Sequence, residues 1–298
     1  MLSQRLKIVK LNRLGISNRG GYNPFVQSLE QHHYMPDRHS LSMVAAIILL
    51  SYALAHMVAI PSRKLGMQLP GFYLSISINI NTFASFLVAG LTAAGADMLL
   101  RDHPMLQKGA TFQHMLLPSL TALVIGLPLA QLPLNLLWWL GFSIGGLLLL
   151  FVLIAEFITV DPQDIRHGMA AAGLTAVSFA LFLTLAIILR FTSTRLFLIL
   201  PALALASGLV SLRTLHLRLG GEWMLAPALV VFLIIGQLSA GLHYWPLSPV
   251  AYGLALLGPA YSLTSFFANL GEGVQIKKAI LEPALVLMLV WGAAILVR

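Results

Sequence analysis

From Leu41 onward the chain is a succession of apolar runs, each 17 to 26 residues long, separated by short polar or proline-containing breaks. A helix of about 20 residues is about 30 Å long, the thickness of the hydrocarbon core of a bilayer. The pattern predicts nine spans, at 41–60, 74–99, 112–132, 134–159, 169–189, 196–212, 223–242, 248–269 and 279–297. The expected fold is therefore all-α, a polytopic membrane helix bundle of about nine transmembrane helices at 41–298. It follows a polar, basic segment at 1–40, which contains no early apolar core of a secretory signal. That segment reads as a tail resting against anionic lipid.

An odd number of spans puts the two termini on opposite sides, and the basic residues decide which. Thirteen of the 18 lysines and arginines fall on the N-terminal side: six in the segment up to Arg38, then Arg101, Lys108, Arg166, Arg213, Arg218, Lys277 and Lys278. Five fall on the other: Arg63, Lys64, Arg190, Arg195 and Arg298. Because cytosolic loops retain positive charge, the N-terminus is expected in the cytosol.

The acids add an asymmetry that this rule does not require. All ten, Glu30, Asp37, Asp97, Asp102, Glu156, Asp161, Asp164, Glu222, Glu272 and Glu282, belong to the cytosolic side. A carboxylate relay across the whole membrane would have no acid to continue it in the outer half.

Composition agrees with the hydropathy pattern. The 298 residues are 58% hydrophobic and only 9% charged, with a mean hydropathy of +0.88, which leaves no room for a separate soluble domain. There is no cysteine, so disulfides, iron–sulfur clusters and thiolate metal sites are excluded. The net charge of +8 would suggest nucleic acid in a soluble chain. Here the basic residues set topology and meet headgroups, so the expected partners are membrane lipids with anionic headgroups at the cytosolic face, and no nucleic acid.

Small residues spaced for close helix approach occur as Gly141-x-x-x-Gly145, Ala202-x-x-x-Ala206 and Ala204-x-x-x-Gly208. Pro118, Pro128, Pro201, Pro227, Pro259 and Pro283 lie in or beside spans, where they free backbone carbonyls. Outer-side polar residues are few. Asn79, Asn81 and Gln237 could line a vestibule, while Trp138-Trp139 and His243-Tyr244-Trp245-Pro246 read as interfacial aromatic belts.

Candidate chemistry gathers on the cytosolic side, as a candidate polar site of Asp97, Arg101, His114, Glu156, Asp161, Asp164, Arg213, His216 and Glu282. Asp97 and Arg101, four apart, would pair on one helix face. The stretch from Glu156 to His167 is the densest in acids. Asp161, Asp164 and His167 could hold a divalent cation, but Asp161 capping a new helix with Asp164 in its first turn explains both acids without one. No metal and no cofactor is assigned. Arg213, His216 and Arg218 could clamp a phosphate or simply anchor the helix at the headgroups. Glu156 is what capping explains least, because it ends an apolar span.

Four stretches, Leu117-Pro118-x-Leu120-Thr121-Ala122-Leu123-Val124, Ala155-Glu156-x-Ile158-x-Val160-Asp161, Leu209 to Arg218, and Leu242-His243-Tyr244-Trp245-Pro246-Leu247, resemble a bacterial multi-pass membrane family filed as a domain of unknown function. The resemblance covers roughly residues 40–275. It implies an integral membrane protein of bacterial origin and carries over no activity and no site. Three functions remain open from the sequence: a small permease or membrane-embedded binding protein with a cytosol-facing polar site, a membrane enzyme acting on a lipid-linked or polyprenyl-phosphate substrate, and a scaffold without chemistry.

Overall fold

The computed structural model describes residues 35–57, 63–69, 72–78, 80–101, 103, 106, 112–192 and 195–297, with the backbone alone for 63–83. Most of the basic N-terminal segment, Asn79, Asp102, Lys108 and the side chain of Asn81 lie outside the described residues.

Each apolar run has become a helix: α1 Arg38–Met57, α2 Ile80–Arg101, α3 Phe112–Leu129, α4 Leu136–Ile158, α5 His167–Phe191, α6 Leu196–Arg218, α7 Leu225–His243, α8 Pro249–Gly271 and α9 Ile276–Leu296. All nine are long and apolar enough to cross a membrane. Local signals mark their ends. Asn135 caps α4 by accepting the Trp138 N–H at 3.2 Å, and Ser248 caps α8 by accepting the Ala251 N–H at 3.2 Å, with Pro249 opening that helix. Beyond α6 the chain turns through Gly220 and Gly221, at φ +65° and +97°, which a side chain would strain.

Two boundaries differ from the hydropathy pattern. The run expected from residue 74 begins as a strand, β2 Phe72–Ile78, paired antiparallel with β1 Arg63–Leu69 so that Leu69 faces Phe72 and Arg63 faces Ile78. Phe72, Leu74, Ile76 and Ile78 alternate with Tyr73, Ser75 and Ser77, a period of two that helical spans lack. The sixth run, expected to stop at residue 212, continues as helix through Arg218, because its last turns carry polar side chains that the rest of the bundle accepts.

The helices share two apolar cores. One joins α1 and α2 to α3 and α4 through Val44, Ile48, Leu99, Leu100, Ala122 and Leu153. The other joins α3 to α8 through Leu117, Val152, Leu174, Phe182, Leu203 and Tyr252. Helices α3 and α4 contribute to both, so they form the seam. Small residues let backbones approach as expected: Gly145 of α4 faces Ile125 of α3, and Gly208 and Ala204 of α6 face Phe232 and Gly236 of α7. Helix α9 packs chiefly on α8, leaving most of its surface outward.

Trp138, expected in an interfacial belt, is instead 1% exposed. It stacks on Phe142 with ring centroids 5.0 Å apart, and His56 lies 5.1 Å away, so it packs among side chains and does not face outward. Trp139, Tyr244 and Trp245 are exposed.

Candidate functional site

Successive helices run in opposite directions, so the end of α2, the start of α3, the end of α4 and the end of α6 meet at one end of the bundle. Every described acid belongs to that end. Three of the predicted site residues converge there. His114 lies in the first turn of α3, Glu156 in the last turn of α4, and Arg213 in the second-to-last turn of α6. Their exposures are 3%, 1% and 2%, so the ion pair is withdrawn from water.

The Arg213 guanidinium grips the carboxylate with two donors, Nε to Oε1 at 3.2 Å and Nη2 to Oε2. His114 Nδ1 is 2.8 Å from Oε2, and its Nε2 is 3.1 Å from the Gln113 side-chain amide nitrogen. That amide donates to Nε2, so the imidazole proton resides on Nδ1 and is given to Glu156. The 3.2 Å approach of Arg213 Nη2 to Nδ1 is then a contact between two donors. With a neutral His114 the cluster is one anion and one cation, the state that burial favours over a net charge. Its place matters as much as its charge, because the carboxylate stands on the seam between the two cores and is held by α3 of that seam and by α6 of the second core.

The cluster is not fully satisfied. Arg213 Nη1, His216 Nδ1 and Thr214 Oγ1 are buried and, among the described residues, have no hydrogen-bond partner. His216 is one turn beyond Arg213 and its ring lies 4.8 Å from that of Trp223. A buried donor without an acceptor costs about 1–3 kcal/mol, more for a charged group, so these atoms mark where a water or a ligand group would be bound.

The other predicted residues do not join this cluster. Asp97 and Arg101 form their own i,i+4 pair at 2.8 Å on α2, with Arg101 well exposed. Asp161 does not cap a helix, because α5 begins only at His167. It accepts the Gln163 N–H at 2.9 Å in a loop turn that Pro162 keeps out of helical form. Asp164 accepts the Arg166 N–H at 2.8 Å and pairs with its guanidinium at 2.8 Å. Glu282 is exposed on α9, where the Tyr261 hydroxyl donates to it at 3.3 Å. Among the described residues no group of three or more His, Asp or Glu is placed to hold a metal ion. Of the outer vestibule, Gln237 is exposed, while Asn79 and the Asn81 side chain lie outside the described residues.

Some of the contacts around the cluster were not foreseen from the sequence. Gln113 sets the His114 tautomer, and its adjacency to a histidine gives no warning of that role. Arg218 reaches across to α8, donating to Glu272 Oε1 at 3.0 Å and Asn269 Oδ1 at 3.0 Å. His103, just beyond α2, packs edge-on against Phe157 with centroids 4.6 Å apart. Burial holds its imidazole below the usual histidine value, opposed by the nearby Asp161 carboxylate.

Among known families, the one described as protein of unknown function (DUF5656) matches residues 60–297, which is most of the chain. The chain belongs to this family. No curated protein and no solved structure matches it.

Proposed function

We propose that this member of the DUF5656 family is a small permease or membrane-embedded binding protein of the bacterial inner membrane, with a polar site opening to the cytosol. One observation carries the reading: the buried Glu156–Arg213 pair is accompanied, within about one helical turn, by Arg213 Nη1 and His216 Nδ1, which lack partners among the described residues. An ion pair serving stability alone gains nothing from an open donor, and ionisable groups at membrane depth are costly to keep. Arg213 Nη1 offers a donor aligned by its carboxylate partner, which suits a solute bearing an anionic or acceptor group. The position on the seam between the two cores is where a bound solute would bias one half of the bundle against the other. The 13 to 5 division of Lys and Arg supports the cytosolic placement of this end.

His114 does not serve the enzyme reading as a general base, because both its ring nitrogens are engaged.

Native mass spectrometry of the protein in mild detergent, wild type beside His216→Ala, tests the proposal. This variant leaves the Glu156–Arg213 pair in place. A small adduct retained by the wild type and lost in the variant is expected. If neither carries an adduct, and proteoliposomes of the wild type pass small anions no faster than empty ones, the proposal is wrong. Orientation is checked in the same cysteine-free background, where Tyr244→Cys should react with an impermeant maleimide on intact cells and Gln163→Cys should not.

A further inference from the structure

Helices α7 and α9 both pack on α8, and a groove runs between them along α8. Trp291 of α9 divides it into two hollows, because its side chain borders both. Two features of α8 hold that ring in place. Pro259 has no N–H to give to the Ala255 carbonyl one turn back, and the Trp291 indole N–H donates to that carbonyl at 3.2 Å in its stead. Gly258 leaves room for the ring, since a carbon added there would stand 3.2 Å from Trp291 Cδ1.

The hollow nearer the Glu156 end has a volume of about 410 Å³, within the range of about 300–1,000 Å³ that small-ligand sites occupy. Its walls include Ile234 and Leu238 of α7, Leu263 and Phe266 of α8, and Ile280 and Leu287 of α9. The two polar side chains in its lining are both engaged, Trp291 as above and Ser262 by donating to the Pro283 carbonyl at 2.8 Å. The Ala279 carbonyl that Pro283 leaves without its helical donor accepts the Asn269 amide at 3.3 Å. A hollow that offers no free hydrogen-bonding side chain takes hydrocarbon, not a polar solute.

Its length fits one leaflet. From Ile280 to Trp291, eleven residues on, α9 climbs about 16 Å, against about 15 Å for half of the hydrocarbon core. Its mouth is cationic. Lys277 continues the stripe of Ile280, Ala284, Leu287 and Trp291 at helical spacing toward the headgroups. Lys277 and Lys278 are exposed, and among the described residues neither has an ion-pair partner. The acids nearest in sequence are occupied elsewhere: Glu272 pairs with Arg218, and Glu282, two positions from Ala284 and so on the opposite side of α9, accepts from Tyr261.

We propose that this hollow holds an acyl chain of an anionic phospholipid from the leaflet at the Glu156 end, with the headgroup phosphate on Lys277. The apolar walls accept a chain of any lipid, and the lysine at the mouth selects a net negative headgroup. The inference does not rest on the permease reading, since no residue of the Glu156 cluster enters it.

The test uses the full chain in nanodiscs of phosphatidylcholine with a rising fraction of phosphatidylglycerol, and lipid retained on release into the gas phase is weighed by native mass spectrometry. The wild type should retain one phosphatidylglycerol in preference to phosphatidylcholine. Phosphatidylglycerol brominated on its acyl chains should quench a component of the tryptophan fluorescence that is missing from Trp291→Phe. Lys277→Gln, an exposed change that leaves the hollow intact, should weaken the preference roughly fivefold, the worth of one lysine beside anionic lipid. Ala284→Phe, which fills the hollow, should abolish retention with helicity unchanged. No preference for phosphatidylglycerol in the wild type, or a preference that survives either variant, overturns the proposal. So does a dimer in place of a retained lipid, which would give the groove to a second copy of the chain.

Discussion

Replacing Glu156 by alanine strips the carboxylate from a guanidinium that is 2% exposed. Breaking a buried pair from one side costs about 3–5 kcal/mol in soluble proteins. In a bilayer the unfolded helices still find polar partners, and single hydrogen bonds there average only about 0.6 kcal/mol, with a maximum of about 1.7. Three contacts converge on this carboxylate, two from Arg213 and one from His114. The expected loss for Glu156→Ala is therefore about 2–4 kcal/mol, a roughly 30- to 700-fold shift in the unfolding equilibrium. Arg213→Met, which leaves the carboxylate with His114 alone, should lose a similar amount. The double variant removes both charges together and should fall within about 1 kcal/mol of the wild type, because an apolar replacement of a buried pair is often neutral. The measurement is a double-mutant cycle on purified protein, unfolded reversibly in mixed detergent–SDS micelles with helicity as the readout. Losses that simply add would show that the two residues do not act as a pair. Single variants within about 0.5 kcal/mol of wild type would show that the cluster contributes nothing to the fold. If the double variant folds and the adduct expected of the wild type is gone from it, binding has been separated from stability.

Gly145→Ala should destabilise by about 1–3 kcal/mol, since the added carbon would stand 2.5 Å from Ile125 Cγ2, and Ile125→Ala should restore most of the loss in the same unfolding assay. Arg218→Gln should cost less than about 1 kcal/mol despite its bonds to Glu272 and Asn269, because the Arg218–Glu272 pair is about one-third exposed; raising salt should shrink even that difference. Stability should fall as pH drops below about 6.5, because the unfolded chain takes up a proton at His103 that the folded protein, with its lowered value, resists. His103→Phe should flatten that decline between pH 7 and pH 5, and an unchanged slope would remove His103 as its source.

Hydropathy located all nine helices because bilayer thickness sets one length for all of them, and a run of that length needs no knowledge of its neighbours. It failed at residues 72–78, where apolar side chains recur at every second position and the run as a whole still looked long enough to span. Charge counting placed the acids at one end for a similar reason, since distance along the chain gives height in the membrane. What it cannot give is the direction a side chain faces around its helix axis, and that direction decided the site. Asp97 and Glu282 share the height of Glu156, but α2 lies on one flank and α9 on the other, so each found a local partner or the surface. His114 and Arg213 share that height on α3 and α6, and their side chains reach Glu156 of α4.

The opposite end follows the same logic with the signs changed. Arg190 and Arg195 are near in sequence because the α5–α6 connection is short, but His243 is drawn to them only by the packing of α7 and α8 against those helices. The consequence concerns α6, which has Arg195 at one end and brings Arg213 to the Glu156 cluster near the other, 18 residues apart along one continuous helix. At 1.5 Å per residue that separation is about 27 Å, close to the full hydrocarbon thickness. A helix of that length, with a cation at each end, would answer a change in the charge of Glu156 by moving as a unit. Glu156→Gln therefore tests more than its own cluster. If α6 couples the two ends, this variant should alter the rate at which a cysteine placed at Phe191 reacts with an impermeant maleimide, about 27 Å away, whereas an unchanged rate would mean the two ends act separately.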